Sequence, residues 1–271
     1  MKKEIIFFIL LISAFLYGKS ENLENIFWND YMELYYKRDD ESPFTGEAHI
    51  TLKDSGNTLK YQFENGRSTQ IEEYDKKNML LRKYKINGNI TYGVHYHEKT
   101  GNKIEEFYLD KEVLSGEFKR YFSNKKIAEE GMYKDGLLHG NRKKYFKNGK
   151  LNIDETYING YLSGHRKEYD EKGILYKEEI YKNGKLNGVS KEFYSNQSLK
   201  SECNYVNGRG KLLEYSQNGT ILSEKNIIDG NKITSMKTYY PNGTMSSEIK
   251  FSANNYTEKN YDENGKIINN K

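Results

Sequence analysis

The sequence predicts an all-β fold: an elongated repeat array of stacked antiparallel β-hairpins that form a single twisted sheet or open β-solenoid. The first indication is the presence of ten Asn-Gly and two Asp-Gly dipeptides. Such dipeptides favour the two-residue type I′ hairpin turn, which needs positive φ at both central residues. The second indication is a spacing of 24 residues in the series Gly116, Gly140, Gly164 and Gly188. A turn signal at a fixed period indicates one hairpin per repeat.

One repeat unit spans residues 140–163. Gly140 opens it, Tyr145 precedes a central turn at Gly149, and Tyr157 precedes a closing turn at Gly160. Related units recur with a period of 22–24 residues, which gives about ten units between residues 41 and 271. The turn residues predicted in this way include Gly136, Gly149, Gly160, Gly184, Gly208 and Gly219.

The segments between turns have the pattern of strands. Leu151, Ile153 and Tyr157 alternate with other residues, and a period of two places alternate side chains on one face of a strand. Each segment is roughly eight to ten residues long, which is long for a strand but short for a helix. The chain has only two prolines, so a sheet can form with few missing hydrogen-bond donors.

Aromatic residues recur at two positions of the unit. Because one hairpin cannot bury its apolar face alone, units must pack on their neighbours, and we expect each aromatic series to form a ladder of stacked rings. The ladders are structural in the simplest interpretation. The alternative is that one ladder is an interaction surface, and the sequence leaves open which ladder is exposed. The two series are Tyr121, Tyr145, Tyr169 and Phe193, and Tyr133, Tyr157, Tyr181 and Tyr205.

The pattern Gly-x4-Tyr-x2-Asn-Gly-x-Leu-x5-Tyr-x-Asn-Gly at residues 140–160 resembles the bacterial variant of the MORN repeat. The segments YKDGLLHG, at 133–140, and YKNGKLNG, at 181–188, resemble the join between two such repeats. The resemblance covers most of residues 41–271 and is strongest over 112–265. It implies an extended hairpin sheet that grips a partner peptide or helix, or that associates with membrane lipid. Many bacterial relatives carry the label of a YwqK-type antitoxin.

The beginning of the chain predicts export and a cap. Residues 1–18 have two lysines followed by an apolar run and a small residue, Gly18, as a cleavage point, which is typical of a signal peptide. We therefore expect an extracytoplasmic protein: periplasmic, surface-bound or secreted. Residues 19–40 are expected to cap the array at 41–271, with Ile26 and Leu34 at near-helical spacing and Trp28 beside them.

Composition limits the class of partner. The formal net charge is only +4, and lysines and acidic residues are interspersed, whereas nucleic-acid-binding proteins have a concentrated basic stripe. We therefore expect no nucleic-acid partner. A weak attraction to an anionic polysaccharide or lipid surface is left open. The single Cys203 cannot form an intramolecular disulfide, and the sequence does not determine the oligomeric state.

The sequence offers little catalytic chemistry. His95 and His97 are two residues apart and would share a face of a strand, but the sequence shows no third ligand that would complete a metal site. Adjacent acidic residues such as Glu178 and Glu179 would point to opposite faces. We find neither a nucleophile elbow nor a phosphate-binding loop. We therefore expect no enzymatic activity, no cofactor and no bound metal.

Three functions remain. The first is a scaffold that mediates protein–protein interaction at the cell envelope or surface. The second is a carbohydrate- or cell-wall-binding module, disfavoured because such arrays use tryptophan and the single Trp28 lies outside the repeats. The third is an antitoxin-like inhibitor, disfavoured because an inhibitor of this kind acts in the cytoplasm and the signal peptide predicts export.

Overall fold

The computed structural model describes residues 26–29, 32–39 and 41–270. The predicted signal peptide, residues 1–18, lies outside the described residues. The described residues form strands and turns without any helix, and no segment of them is a helix long and apolar enough to cross a membrane. The chain divides into two compact units, Met1–Leu137 (unit 1) and Leu138–Lys271 (unit 2).

Unit 1 contains a small two-stranded sheet and a larger antiparallel sheet. The strands β1 and β2 form one ladder with each other, and Tyr36 of β2 also forms an isolated bridge with Pro43. From β3 to β10, each strand forms a ladder with its neighbour along the chain. The strands are β1 (Ile26–Asn29), β2 (Leu34–Lys37), β3 (Gly46–Thr51), β4 (Thr58–Glu64), β5 (Arg67–Tyr74), β6 (Leu80–Asn87), β7 (Ile90–Tyr96), β8 (Lys103–Asp110), β9 (Val113–Tyr121) and β10 (Ile127–Lys134). The two-residue strand β11 (Leu137–Leu138) lies at the division between the units.

Unit 2 contains a single antiparallel sheet, in which the two-residue β16 adds to the edge of β15 and β15 then pairs with β17. Within the described part of this unit, no ladder joins β24 back to β12, so the sheet is open. The strands are β12 (Gly140–Tyr145), β13 (Leu151–Ile158), β14 (Tyr161–Tyr169), β15 (Leu175–Lys182), β16 (Lys185–Leu186), β17 (Gly188–Phe193), β18 (Leu199–Tyr205), β19 (Gly210–Tyr215), β20 (Ile221–Ile228), β21 (Lys232–Tyr239), β22 (Met245–Phe251), β23 (Tyr256–Tyr261) and β24 (Ile267–Asn270). The predicted all-β array of stacked antiparallel hairpins is confirmed.

The helical spacing before residue 40 does not produce a helix: the described residues there form the hairpin β1–β2. Its conformation is set by the sheet that it contacts. Ile26 is buried against Ala48 and Phe63, and the Tyr35 N–H donates to the carbonyl oxygen of Gly66 at 2.8 Å. A strand pair gives this segment both the apolar contact and the hydrogen bonds. Its predicted role as a cap stays a prediction.

The turns are of two kinds, whereas the sequence predicts one. In the closing turn, Asn159 and Gly160 have φ of 49° and 82°, as a type I′ turn requires. In the central turn only Gly149 has positive φ, at 93°, and the Phe146 N–H donates to the Lys150 carbonyl at 2.9 Å around a three-residue loop. This loop is a turn followed by one left-handed residue, which gives the adjoining strands an irregular register.

Hydrogen bonds join successive closing turns. The Gly160 N–H donates to the Leu138 carbonyl at 2.8 Å, and the Gly184 N–H donates to the Leu162 carbonyl at 2.9 Å. Each N–H therefore has a backbone partner from the preceding repeat and does not depend on water. At the other end of the sheet, the Asn148 amide donates to the Glu171 carbonyl at 3.0 Å. Both ends of a hairpin are thus tied to the next hairpin.

Three of the four glycines spaced by 24 residues leave room for a side chain on a neighbouring strand, whereas Gly140 has open space where a Cβ would stand. A Cβ on Gly164 would lie 3.0 Å from the Thr156 Cβ, and a Cβ on Gly188 would lie 2.9 Å from the Ile180 Cβ. Both glycines also have φ above 110°, a conformation that side chains rarely adopt. At Gly116, Gly164 and Gly188 the glycine period therefore reflects close approach of strands rather than turn formation.

Two left-handed positions in the central loops test whether positive φ strains residues other than glycine there. Lys125 has φ of 68° where most repeats have glycine, and Gly219 has φ of 88° with open space where a Cβ would stand. We expect Lys125→Gly to stabilise the protein and Gly219→Ala to destabilise it, each by about 1 kcal/mol, because only the left-handed strain changes. Urea unfolding of both variants measures the two changes; equal signs would contradict the assignment.

Candidate interaction surface

Each sheet has a buried face and an open face, because strand side chains alternate. In unit 2 we define the buried face by the cross-strand row Arg142, Glu155, Arg166 and Glu179. We define its open face by the adjacent row Lys143, Asp154, Lys167 and Glu178. In unit 1 the buried face carries Ile71, Tyr84, Phe107 and Phe118. The opposite, open face carries the charged residues Lys60, Glu72, Lys83, Glu106 and Lys119, and Val94, which lies between Lys83 and Glu106, is buried.

The buried face of unit 1 is mainly aromatic and aliphatic. Tyr84, Phe107 and Phe118 are each less than a tenth exposed. The ring of Phe107 lies 6.5 Å from that of Tyr84 at 67°, an edge-on arrangement that aromatic pairs favour. Gly93 makes this contact possible, since a Cβ there would lie 2.5 Å from the Phe107 ring. This part of the array has an ordinary apolar core.

The buried face of unit 2 begins with a chain of ion pairs instead. The Arg166 guanidinium lies between two buried carboxylates, at 3.2 Å from Glu155 Oε1 and 3.0 Å from Glu179 Oε2. Arg142 binds the other oxygen of Glu155 at 3.0 Å, and Lys177 binds Glu179 at 2.9 Å. Buried carboxylates need partners of this kind to offset the loss of water. The stripe holds strands β12 to β15 together by charge.

Tyrosine hydroxyls complete this ionic stripe. Tyr157 donates to Glu155 at 3.0 Å, and Tyr181 donates to Glu179 at 3.1 Å. Burial, together with the charge and hydrogen bond of Glu179, raises the pKa of Tyr181 to about 12. The tyrosines therefore remain neutral donors at physiological pH.

The second predicted ladder lies on the buried face, but its rings do not stack on each other. Tyr157 and Tyr181 are on strands β13 and β15, two strands apart, which is about 9.6 Å and too far for ring contact. Among the described residues of unit 2, no ring contact joins Tyr157, Tyr181 and Tyr205. Tyr205 is buried beside Cys203, and in unit 1 Tyr133 packs on Phe118 with 4.8 Å between ring centroids. The expectation of stacked rings is therefore wrong for unit 2.

The first predicted ladder, Tyr121, Tyr145, Tyr169 and Phe193, occupies strand ends next to the central loops, and each member is half-buried. Tyr121 donates a hydrogen bond to Glu106 on the open face of unit 1. Neither ladder has an exposed member. The role of either ladder as an interaction surface stays a prediction.

Glu106 lies at the centre of a polar cluster on the open face of unit 1. Its carboxylate accepts hydrogen bonds from the hydroxyls of Tyr121 and Tyr92, the latter at 2.7 Å, and binds Lys103 at 2.9 Å. Burial alone would raise the pKa of Glu106, but these donors outweigh it and lower the pKa to about 2. The cluster fixes the positions of the two tyrosine rings.

Large apolar side chains stand beside this cluster and are exposed. Ile90 and Val113 both lie opposite Asp110, on strands β7 and β9. Tyr108 packs against Tyr92 with 5.1 Å between ring centroids, and Tyr108 remains 40% exposed. We call Ile90, Tyr92, Tyr108 and Val113 the β7–β9 patch. No sequence pattern predicted this patch, although Tyr108 precedes Gly116 by eight residues, as Ile180 precedes Gly188.

The histidines singled out by the sequence do not form a pair. His95 contacts Glu105 through Nδ1 at 3.1 Å and the Tyr84 hydroxyl through Nε2 at 2.9 Å. His97 lies beyond the end of β7, so the two imidazoles do not share a strand face. Across residues 26–29, 32–39 and 41–270, no three His, Cys, Asp or Glu side chains come together as a metal site.

Comparison with known proteins identifies the repeat. The family model described as MORN repeat variant matches residues 114–135, 138–159, 162–183, 186–207 and 235–253. The first four matched segments each begin just after a closing turn and end at the first residue of the next one, so a matched repeat is one hairpin built around a central loop. None of the curated proteins matches this chain.

Similarity to solved structures is low. One is the crystal structure of a mutant of S. aureus TarM in complex with Fondaparinux, alpha-GlcNAc-glycerol and UDP, at 10% identity and a TM-score of 0.27. The match covers 59% of this chain and 27% of that chain. Another is a functionally unknown protein from Desulfotomaculum acetoxidans DSM 771, at 9% identity and a TM-score of 0.18, covering 74% of this chain and 92% of that one. These similarities carry no functional argument.

The ion-pair stripe predicts a large effect of one substitution. Arg166→Met leaves Glu155 and Glu179 buried without their shared partner, and we expect a loss of roughly 3 kcal/mol in the free energy of unfolding. Lys211→Met is the control, because Lys211 is 56% exposed in its pair with Glu224, and we expect a change below about 0.5 kcal/mol. Urea unfolding compares them. Similar small losses in both would show that the stripe does not stabilise unit 2.

The Glu106 cluster predicts a pH dependence. Because the folded pKa is lower than the unfolded one, the stabilisation by Glu106 is present above about pH 4.3 and is lost as the pH falls towards 2. We expect Glu106→Gln to make thermal stability less dependent on pH between 4.5 and 2. Glu117→Gln, at an exposed position of β9, is the control and should follow the wild type. Parallel curves for all three proteins would contradict the assignment.

Proposed function

Because the chain belongs to the MORN repeat variant family through five matched repeats, we propose that it is a non-enzymatic scaffold that binds another protein outside the cytoplasm. Repeats of this family are modules for protein or membrane interaction. A protein partner is favoured by the β7–β9 patch, in which aromatic and aliphatic side chains are exposed beside ordered charges. Aromatic anchors with a charged surround are the usual composition of protein-binding surfaces.

The single observation that carries the proposal is that the β7–β9 patch is both apolar and held in place. Exposed apolar clusters mark interaction sites on soluble proteins. Glu106 fixes Tyr92, which packs on Tyr108, so the patch loses little side-chain freedom when a partner binds. Beside the patch, the charges alternate in sign from one residue to the next along the row Lys83, Glu106 and Lys119. We expect a partner segment with apolar side chains flanked by charges of both signs.

The signal peptide predicted from the sequence supports an extracytoplasmic location for this activity. An exported scaffold meets envelope, surface or secreted proteins, which disfavours an antitoxin-like role. The carbohydrate alternative is not needed to explain the patch, because Tyr92 and Tyr108 meet at 44° rather than forming a flat platform.

Proximity labelling tests the proposal. A labelling domain active outside the cytoplasm is fused after Lys271, and labelled proteins are compared between wild type and the Ile90→Ser/Val113→Ser variant. We expect specific envelope or extracellular proteins to be labelled by the wild type and to fall about tenfold in the variant, because the exposed apolar contact is lost. Binding of each labelled protein to the purified chain is then measured directly.

The matched control is Ile267→Ser/Ile268→Ser, since both residues are more exposed than those of the patch. It should leave labelling and binding unchanged. Equal labelling by all three proteins would overturn the assignment of the patch. Sedimentation of the wild type with purified peptidoglycan, but with no protein, would instead support the carbohydrate-binding alternative.

A further inference from the structure

The open face of unit 2 carries a row of charges that alternate in sign on consecutive strands. Lys167, Glu178, Lys191 and Glu202 lie on β14, β15, β17 and β18, and the cross-strand register places each directly opposite the next. Neighbouring strands are about 4.8 Å apart. The row is therefore a linear pattern of plus, minus, plus and minus with the spacing of strands.

These charges are largely unused within unit 2. Within the described part of the chain, Lys167, Glu178 and Lys191 make no ion pair within 4.0 Å, and Glu202 accepts a hydrogen bond from the Tyr215 hydroxyl at 2.8 Å. The buried face contrasts with this, since Glu155 and Glu179 each have two cationic partners. The charges of the open face remain available to a partner.

An apolar row runs parallel to the charges. Ile180 is two residues beyond Glu178 on β15, and Val189 is two residues before Lys191 on β17, and they are 40% and 44% exposed. Nearer the closing turns, Ile158 pairs with Tyr161, which is 62% exposed, and Val206 is equally exposed. Exposed apolar side chains on adjacent strands form a surface that a flat partner can cover.

If a second copy of the alternating row is turned end for end, each charge meets a charge of opposite sign. A two-fold axis parallel to the strands and midway between β15 and β17 reverses the order of strands but keeps the position along them. Lys167 of one copy then faces Glu202 of the other, and Glu178 faces Lys191. The same operation places Ile180 over Val189 of the second copy. An axis along the row would instead place like charges opposite each other.

We propose that unit 2 binds a second copy of this chain, open face to open face, about this two-fold axis. A β-sheet partner carries charges at the same spacing of ~4.8 Å, and a second copy of this sheet supplies the required order of signs. Two sheets that pack face to face in an aligned manner are a common arrangement. This association lies on unit 2 and is independent of the β7–β9 patch of the proposed function.

The available area suits a stable dimer. The seven longer strands from β12 to β19, without the two-residue β16, have six to nine residues each. They cover a width of about 29 Å and a mean length of about 24 Å. The resulting footprint of roughly 700 Å² per partner falls within the range of a standard specific interface. Apolar contact supplies attraction, and the charge row fixes the register.

Charge reversal tests the dimer. One variant, Lys167→Glu/Lys191→Glu, makes the row entirely negative, and a second, Glu178→Lys/Glu202→Lys, makes it entirely positive. We expect the purified wild type to sediment as a dimer and each variant alone to sediment as a monomer. An equimolar mixture of the two should restore a dimer of one copy of each. Analytical ultracentrifugation measures all four samples.

The matched control is Lys237→Glu/Lys259→Glu, which makes the same change on the same face but on β21 and β23, outside the footprint. It should dimerise like the wild type. A monomeric wild type at about 100 µM would overturn the proposal, as would variants that dimerise alone or fail to pair when mixed. Circular dichroism verifies that each variant is folded.

A second measurement does not depend on the charge variants. Chains carrying Ile180→Cys are mixed with chains carrying Val189→Cys and are oxidised. Because the axis places these positions opposite each other, we expect a cross-link at least about tenfold faster than with Ile267→Cys in place of Ile180→Cys. Equal rates would overturn the geometry. If the chain does not dimerise but still labels specific proteins, only the dimer proposal is refuted. If the chain dimerises but labels no specific protein, only the proposed function is refuted.

Discussion

The left-handed turns are the constraint on which the other features of this structure depend. A closing turn with positive φ at two residues, as at Asn159 and Gly160, reverses the chain in the least possible length and stacks on the preceding turn by a backbone hydrogen bond. Each repeat therefore contributes two strands. Residues at the same position of neighbouring repeats are then separated by an intervening strand, and they contact the other half of the repeat instead of each other.

This separation explains the chemistry of both faces. On the buried face of unit 2, Glu155 and Glu179 occupy equivalent positions, and Arg166 of the intervening strand lies between them. On the open face, lysines on outgoing strands and acidic residues on return strands produce the alternating row. On the buried face, the opposite charges of neighbouring strands form ion pairs that favour the native register.

The two units also differ in how they occupy their buried faces. Unit 1 uses Phe107 and Phe118, and unit 2 uses Arg142 and Arg166 at its beginning, then the smaller Cys203 further on. Paired charges on the buried face of unit 2 favour one strand register, since a shifted register would leave a buried carboxylate without its partner. The open faces are then free to differ, and we assign partner binding to one and self-association to the other.

The all-β hairpin array and its repeat could be predicted from the sequence, because Asn-Gly and Asp-Gly at a fixed period are local signals that few other structures satisfy. The sequence could not distinguish the central loops from the closing turns, since both contain Asn-Gly and only strand register separates them. The spacing of apolar residues before residue 40 indicated a helical cap. The described residues there form a strand pair instead, in which Ile26 is buried against Ala48 and Phe63. The sequence also suggested stacked tyrosines. Which residues face each other is evident only in the folded chain, because cross-strand neighbours are set by pairing register and bulges rather than by position in the repeat.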